Sequence, residues 1–382
     1  MKKSIISYGI VDVAAKALPL FTIIFLGTQL SNFEVERLEY YYVLQSIFIN
    51  VFSFGQLSLY SRKLTHEKSE YSKLLTYFPL IIIFIISFFF SIEIVLIAAI
   101  NSILQLIFNK LQIYNNIIGS QLKQRVNDLL YALLYSISLI IIFYLIKSSY
   151  LVRALPQTIT LILILTYYYK KINQEFTFKF KNLLISLKQG APFFLLGLLQ
   201  WLNIFFDKII SRNTLAQDDA SSYFVFSIVG SVALVLCLSI LKVVRREVHS
   251  LKGNEVKVLF KKIYPYFLLA VIITFSCQIL GYTTLIVFKM TMININIIIV
   301  NTIIILLFVH YYFINTLIIQ CLGKDSIKPL KILIFITMST INNLYFYLID
   351  AKFINYLIFQ IFIIFSFCLY LNLKFINDYK KL

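Results

Sequence analysis

The sequence predicts an all-α integral membrane protein, with about 12 transmembrane helices in two pseudo-symmetric lobes of about six helices around a central cavity. Two observations carry this fold class. The chain of 382 residues is 60% hydrophobic and 14% charged, whereas a soluble domain is roughly 45–50% apolar and about 25% charged. It also divides into apolar windows of about 20 residues, the length that crosses a bilayer core of about 30 Å.

The apolar windows give the order of the spans. Only Ser91 to Glu93 separate the third window from the fourth, which implies a tight hairpin there. Short outside loops are expected around 30–39, 211–220, 289–295 and 350–352, and the longer stretches 170–189 and 242–262 are typical of basic amphipathic helices on the inner leaflet. We predict spans at 4–29, 40–60, 74–91, 93–114, 128–147, 149–169, 189–210, 221–241, 263–285, 296–320, 329–349 and 353–373.

The distribution of charge fixes the expected topology. The chain carries 35 basic and 17 acidic residues, for a net charge of +18. Most of the basic residues fall in segments on the same side of the membrane as the N-terminus. Because cytoplasmic segments are enriched in Lys and Arg, we expect both termini in the cytoplasm. The net charge then reflects topology, and no nucleic-acid partner is expected. The start, MKKSIISYGIV, resembles a signal peptide, but no small-residue cleavage site follows it, so we expect it to be retained as the first span.

A weak internal repeat appears when the chain is compared with itself at an offset of 181 residues. Six spans in each half would give both halves the same orientation in the membrane, a common transporter arrangement. The predicted lobes are therefore 1–180 and 181–382. The matches with most weight include Gly9 with Gly190, Asn32 with Asn213 and Tyr42 with Tyr223.

Two stretches carry a resemblance to a known family. In 15–64 the pattern is Lys16, Leu18-Pro19, the aromatic run Tyr40 to Tyr42, Gly55 and Arg62, and in 190–228 it is Gly190, Asp207 and Tyr223. This pattern resembles the polysaccharide flippases of the multidrug/oligosaccharidyl-lipid/polysaccharide (MOP) exporter superfamily, and the resemblance implies a MATE-like fold.

The resemblance also implies a function. A flippase of this kind translocates undecaprenyl-diphosphate-linked oligosaccharide repeat units, of O-antigen or capsule type, from the inner to the outer leaflet by alternating access. The chain would then be a multi-pass protein of the bacterial inner membrane that serves polysaccharide and lipopolysaccharide biosynthesis. Its partners would be membrane lipid and the lipid-linked oligosaccharide, and participation of other polysaccharide assembly proteins is left open. No enzyme activity, cofactor or metal is expected.

Asp12 and Lys16 are ionisable residues inside the first predicted span, four residues apart and so on one helix face. Charged groups within a bilayer are costly, and they usually face a cavity or each other. Lys16 can bind a diphosphate with Asp12 tuning its charge. The alternative is a mutual pair that serves packing.

Further charged candidates lie near the ends of the sixth and seventh spans. Arg153 can act as a second cavity cation, because a guanidinium suits phosphate, or as an interfacial anchor that extends to the membrane surface. Asp207 and Lys208 can serve the cavity or its gating. The alternative for Asp207 is an interfacial ion pair with Arg212.

The remaining candidates are neutral near pH 7. His310 can serve a proton-coupled step, or it can be a hydrogen-bonded packing residue. Gln200, Trp201 and Asn203 form a possible sugar contact, because sugars stack on aromatic faces and bond to amides. Trp201 can equally be a packing residue or an interfacial anchor.

Two other functions remain open at this level. A membrane-embedded polysaccharide polymerase would need sizeable outer loops with Arg and His, and the predicted outer loops are short. A cation-coupled drug exporter of the same superfamily would need acidic residues deep in a lobe, where Asp12 is accompanied by Lys16. A cavity dominated by basic groups favours an anionic cargo. The four cysteines all lie in apolar segments without metal-ligand spacing, so neither a metal site nor a disulfide is expected.

Overall fold

The computed structural model describes helices joined by short turns, and the described residues contain no strand. This confirms the predicted all-α fold class. Most of the predicted spans 4–29 and 74–91, including Asp12 and Lys16, lie outside the described residues. Those described are 15, 22, 25–26, 29–55, 57, 87, 90–117, 121–146, 149–168, 183–249, 256–321, 329–349 and 352–379.

Eleven helices are formed within these ranges. Each predicted span other than 4–29 and 74–91 overlaps one or two of these helices. Six segments are long and apolar enough to cross a membrane, and α4 is a shorter apolar helix. The helices are α1 Asn32–Ser53, α2 Ile92–Ile117, α3 Gln121–Ile146, α4 Leu151–Tyr167, α5 Leu183–Ile204, α6 Asp207–Thr214, α7 Gln217–His249, α8 Val256–Val287, α9 Ile295–Cys321, α10 Pro329–Leu348 and α11 Phe353–Tyr379.

Large apolar side chains are exposed along α3, α8, α10 and α11, among them Leu145, Val287 and Leu348. An exposed apolar surface this extensive is unusual in a soluble monomer. It is the surface expected of helices that face lipid, which agrees with a multi-pass membrane protein.

The first outside loop is shorter than predicted. The sequence favoured a loop over 30–39, but α1 begins at Asn32. Ser31 caps the helix, since its Oγ accepts a hydrogen bond from the Glu34 N–H at 3.4 Å, and the Glu34 carboxylate suits the positive end of the helix dipole. Ser31 followed three residues later by Glu34 is a recognised capping pattern, so the signal was present in the sequence.

The predicted seventh span, 189–210, is broken into α5 and α6. The N–H groups of Phe205 and Phe206 both donate to the Trp201 carbonyl, at 3.0 and 3.3 Å. Upstream, Asn203 Nδ2 donates to the Leu199 carbonyl at 2.7 Å and competes with the backbone ladder. The second bond to Trp201 spans five residues, as in the π-type turns that interrupt α-helices. We call residues 205–206 the α5–α6 break.

The chain forms two compact units, Met1–Phe206 and Asp207–Leu382, which meet in sequence at this break. In the first unit α1 and α4 pack on α2, α3 packs on α4, and α5 packs on α1. In the second unit α7 packs on α8 and α9, α9 packs on α11, and α6 lies beside α10 and α11. The lobe boundary after residue 180 stays a prediction.

The contact between α1 and α5 depends on small residues. Gly55 has φ 71°, and a Cβ built there would lie 2.3 Å from the Gly190 carbonyl oxygen. A Cβ on Gly197 would lie 2.7 Å from Asn50 Oδ1. Glycines allow helix backbones to approach closely in a membrane protein. Two glycines of the family pattern, Gly55 and Gly190, are thus brought together.

Polar contacts tie the N-terminal ends of α1, α2 and α4. The Tyr150 N–H donates to Glu34 Oε2 at 2.7 Å, and Arg37 Nη2 donates to Glu93 Oε2 at 3.2 Å. The Arg37 guanidinium also lies 4.6 Å from the centroid of the Tyr150 ring. These contacts fix the ends of the helices that carry the first candidate site.

Candidate functional site

Arg153 is a buried cation near the start of α4. It is 7% exposed, so it does not extend to the surface as an interfacial anchor would. Its guanidinium carbon lies 4.8 Å from the centroid of the Tyr42 ring and 5.9 Å from that of Tyr41. Its Nε and Nη1 atoms are buried and have no hydrogen-bond partner within the described part of the chain. Among the described residues, no carboxylate lies within 4.0 Å of the guanidinium nitrogens. Buried donors without partners are costly. An acceptor that reached these two nitrogens would remove that cost.

A hydrogen-bond network beside Arg153 joins α1, α2 and α4. The Tyr41 hydroxyl donates to Gln157 Oε1 at 2.6 Å and accepts from Asn101 Nδ2 at 2.7 Å. Asn101 Nδ2 also donates to the Ala154 carbonyl at 3.0 Å, and Thr158 Oγ1 donates to Asn101 Oδ1 at 2.7 Å. All of these groups are neutral. The network therefore fixes the helices around the cation without compensating its charge.

An aromatic chain leads from Arg153 to the α5–α6 break. The Tyr42 ring centroid lies 5.6 Å from that of Phe205, and the Trp201 ring lies 5.4 Å from that of Phe206. Trp201 Nε1 donates to the Val43 carbonyl at 3.1 Å. Trp201 is therefore anchored to α1 through its polar atom, while its ring packs at the break.

The three candidates for a sugar contact do not share one environment. Trp201 packs as described above, whereas Asn203 is buried and its Nδ2 bonds the Leu199 carbonyl of its own helix. Gln200 is half-buried. Trp201 therefore contacts α1 at Val43, the residue after Tyr42. Asn203 Nδ2 bonds within α5, next to the C-terminal end of that helix.

Asp207 and Lys208 form a buried cluster in the second unit. They are 5% and 2% exposed. Lys208 Nζ lies 3.2 Å from Asp207 Oδ1, and the Tyr223 hydroxyl donates to Asp207 Oδ2 at 2.6 Å. Asn301 Nδ2 in turn donates to the Tyr223 hydroxyl at 3.0 Å. Both carboxylate oxygens are thus occupied, and a buried charge is tolerated when it is paired in this way.

The alternative partner for Asp207 makes other contacts. Arg212 Nη2 donates to Ser221 Oγ at 3.2 Å, and Arg212 Nη1 lies 3.4 Å from the Gln217 carbonyl. The ion pair that the structure describes for Asp207 is a buried one with its own neighbour in sequence, Lys208.

The two units share a tyrosine–asparagine pair. In each, a buried tyrosine hydroxyl donates to a side-chain oxygen and accepts from an asparagine amide on another helix: Tyr41 with Asn101, and Tyr223 with Asn301. The repeat at an offset of 181 aligned Tyr42 with Tyr223, but the structural counterpart is Tyr41. Both asparagines were missed by sequence reasoning. A polar residue within a strongly apolar window was the available signal.

His310 lies apart from the Asp207 cluster. Its Nε2 lies 3.1 Å from Asn372 Nδ2, and its ring centroid lies 6.0 Å from that of Phe267. It follows Asn301 by nine residues on α9, which corresponds to about 14 Å along a helix axis. Its contacts are those of the packing residue that the sequence left as an alternative.

No group of three or more His, Cys, Asp or Glu side chains that could hold a metal occurs in the part of the chain that the structure describes. Cys237, Cys277 and Cys368 are free thiols, and all three are buried. Of the candidates predicted from sequence, the charged ones that the structure describes lie in two places, one around Arg153 and one around Asp207, and Glu39 and Lys110 are buried as well.

The helices and their exposed apolar surfaces define an all-α multi-pass membrane fold. Several solved structures match essentially the whole chain, among them two MATE structures. A crystal structure of MATE in complex with MaD3S shares 13% identity, covers 100% of this chain and 97% of its own, and has a TM-score of 0.60. The inward-facing conformation of a multidrug resistance MATE family transporter of the MOP superfamily shares 14% identity, covers 98% of this chain and 99% of its own, and has a TM-score of 0.54. The chain thus has the MATE transporter fold. No protein-family model matches it, and no curated protein matches it.

Proposed function

We propose that this chain is a MOP-superfamily flippase that carries an undecaprenyl-diphosphate-linked oligosaccharide from the inner to the outer leaflet of a bacterial inner membrane. The observation that carries the proposal is Arg153, a buried guanidinium with two unpaired donors. The MATE fold supports transport by alternating access. The exposed apolar helices would face membrane lipid.

The chemistry of Arg153 favours a phosphate-bearing cargo. A guanidinium offers its donors in a planar fork that matches two oxygens of a phosphate or diphosphate. Charge-assisted hydrogen bonds of this kind are stronger in a site shielded from water. Because the neighbouring Tyr41 network is neutral, an anionic ligand would meet no opposing charge from it.

The rival function is cation-coupled drug export, since one of the matching structures is a multidrug resistance transporter. Such a protein needs a buried carboxylate that is available to a cation. The two buried carboxylates of the described chain, Glu39 and Asp207, both have partners. The structure therefore favours an anionic cargo over a cationic one.

A flipping assay on the purified full chain in liposomes tests the proposal. The cargo is a fluorescent undecaprenyl-diphosphate-linked saccharide, and an impermeant quencher reports how much of it reaches the opposite leaflet. A hydrogen bond to a charged group is worth about 1.5–3 kcal/mol, so Arg153→Gln should slow flipping by roughly 10- to 100-fold. Arg153→Lys should retain part of the activity, because it keeps the charge but loses the fork.

Lys289→Gln is the matched control, since it removes an exposed cation in the turn after α8. It should flip at the wild-type rate. Flipping by Arg153→Gln at the wild-type rate would remove Arg153 from the site. Absence of flipping, together with gradient-driven export of a cationic dye, would establish the rival function instead.

Lys16 and Asp12 belong to the same proposal as an additional cationic contact in the first span. A cell that lacks its own O-unit flippase provides the test. If the intact chain restores surface polysaccharide and Lys16→Ala at matched expression does not, Lys16 binds cargo. Restoration by both would make Lys16 structural and leave the anion site to Arg153.

A further inference from the structure

The aromatic contacts around Arg153 end at a backbone irregularity. The guanidinium lies over Tyr42, and Tyr42 packs on Phe205, which is the first residue of the α5–α6 break. Two successive contacts thus connect the unpaired donors to a point where α5 loses its regular hydrogen bonding. On the far side of the break the chain continues directly into Asp207.

The two N–H groups of the α5–α6 break share one backbone acceptor. One carbonyl, that of Trp201, accepts from both Phe205 and Phe206. A shared acceptor constrains the turn less than two separate helical bonds would. Turns of this type are enriched at functional sites, and the boundary between the two compact units falls at the same point.

Tyr42 is held differently from Tyr41. Tyr41 is fixed by hydrogen bonds to Asn101 and Gln157. Tyr42 is half-buried, and within the described residues its contacts are made through its ring, to Arg153 and Phe205. A ring held only by packing and by a cation can follow that cation when it moves.

We propose that Tyr42 and Phe205 are positioning residues that hold the Arg153 guanidinium ready for an anion and transmit occupancy of the site to the α5–α6 break. An anion that pairs with Nε and Nη1 turns the guanidinium toward itself and weakens its contact with the Tyr42 face. Tyr42 then repacks on Phe205, and the turn at 205–206 changes its geometry. This inference rests on the anion site of the proposed function.

The chain contains its own reporter for this change. Trp201 is its single tryptophan, it supplies the shared carbonyl, and its ring lies 5.4 Å from Phe206. When no other protein is present, tryptophan emission from the unlabelled full chain therefore reports on the surroundings of Trp201, which include the break.

The experiment uses the purified full chain in detergent micelles, which contain no other protein, with undecaprenyl diphosphate as the probe and undecaprenol as the uncharged control. Binding is measured as the ³²P-labelled lipid that stays with the immobilised chain after a detergent wash, and Trp201 emission is recorded in parallel. In the wild type, undecaprenyl diphosphate should bind and shift the emission, and undecaprenol should not shift it. Arg153→Gln should lose both binding and shift.

Variants of the two positioning residues separate binding from transmission. Tyr42→Leu and Phe205→Leu should still bind the probe, with affinity lowered by about threefold through loss of the cation–π contact and its support, but without an emission shift. Tyr42→Phe keeps the ring and should behave as the wild type. Phe194→Leu removes another ring of α5, one that stacks on Phe54, and should keep the shift.

The possible outcomes distinguish the two proposals. Probe binding that depends on Arg153 but produces no shift, or a full shift in Tyr42→Leu and Phe205→Leu, would overturn the transmission and leave the anion site intact. If Phe194→Leu also loses the shift, the loss in the other variants reflects a general disturbance of α5. That result would overturn the proposed transmission as well. Failure of the wild type to retain the labelled lipid would overturn both proposals.

Discussion

Asp207 and Lys208 show how a neighbour in sequence becomes a counter-ion inside a membrane protein. Consecutive residues of a regular helix point in different directions and do not normally pair. Here they are the first two residues of α6, directly after the break, and the two charges meet at 3.2 Å. Tyr223 occupies the other carboxylate oxygen. The pair therefore depends on the irregular backbone that precedes it.

Removal of the ammonium should be costly. Lys208→Met leaves the Asp207 carboxylate buried without its counter-charge, which typically costs about 3 kcal/mol or more. We expect a lower thermal unfolding temperature for the purified protein in detergent. Lys289→Met, which replaces an exposed lysine, should unfold at the wild-type temperature.

The double variant Asp207→Asn with Lys208→Met tests the origin of the effect. Because it removes both charges, it should recover much of the loss caused by Lys208→Met alone. A double variant that is less stable than either single variant would mean that the two residues act independently.

At the scale of helices, α1 and α5 approach each other closely at two glycines. The contact is possible because Gly55 and Gly197 present no side chain to the facing helix. The two positions differ in what a methyl group would meet, which is a backbone carbonyl at Gly55 and the end of the Asn50 side chain at Gly197.

This difference predicts a graded effect. Gly55→Ala places a side chain on a residue with φ 71°, which costs roughly 1–2 kcal/mol in strain alone, and its Cβ also meets a carbonyl that cannot move freely. We expect little monodisperse protein on size-exclusion chromatography. Gly197→Ala should fold with a smaller loss, because Asn50 can change its rotamer.

Thr283→Ala is the control, since its hydroxyl contacts only its own helix on an exposed face of α8. It should elute as the wild type does. If Gly55→Ala is as stable as Gly197→Ala, a Cβ at residue 55 does not meet the Gly190 carbonyl, and the described approach of α1 and α5 is contradicted.

At the scale of the whole molecule, the fold is set by apolar helices and their topology by basic segments. The N- and C-terminal ends and the loops rich in Lys and Arg are expected in the cytoplasm. The turn between α8 and α9, residues 288–294, would then face the outside, and its residue Thr291 is exposed.

Cysteine labelling tests this topology. In a background where the four native cysteines are replaced, Thr291→Cys should react with an impermeant maleimide added to intact cells. Lys2→Cys should react only after the membrane is opened. The reverse pattern would invert the whole arrangement, because every loop changes side together.

Two features separate what the sequence determined from what required the fold. Apolarity is a local property, so the sequence located the spans, and the position of α2 or α9 could be read from composition alone. The cap at Ser31 was also readable and was passed over because the acidic residues after it suggested a loop. The break after α5 could not be predicted from the sequence, because it lies within a continuous apolar window. It involves the Asn203 side chain, which bonds the Leu199 carbonyl, and the Trp201 carbonyl, which accepts from Phe205 and Phe206.

The pairing of charges was decided only by tertiary structure. Sequence reasoning identified Arg153, Asp207 and Lys208 as ionisable groups in or near spans, and burial confirms that they lie inside the protein. It could not tell that Asp207 is satisfied by Lys208 and Tyr223 while Arg153 keeps two unpaired donors. In helices that are apolar on nearly every face, the pattern hardly constrains rotation about the helix axis. The partner of each polar group is therefore fixed by how the helices pack, and that packing satisfies Asp207 while it leaves two Arg153 donors without a partner among the described residues.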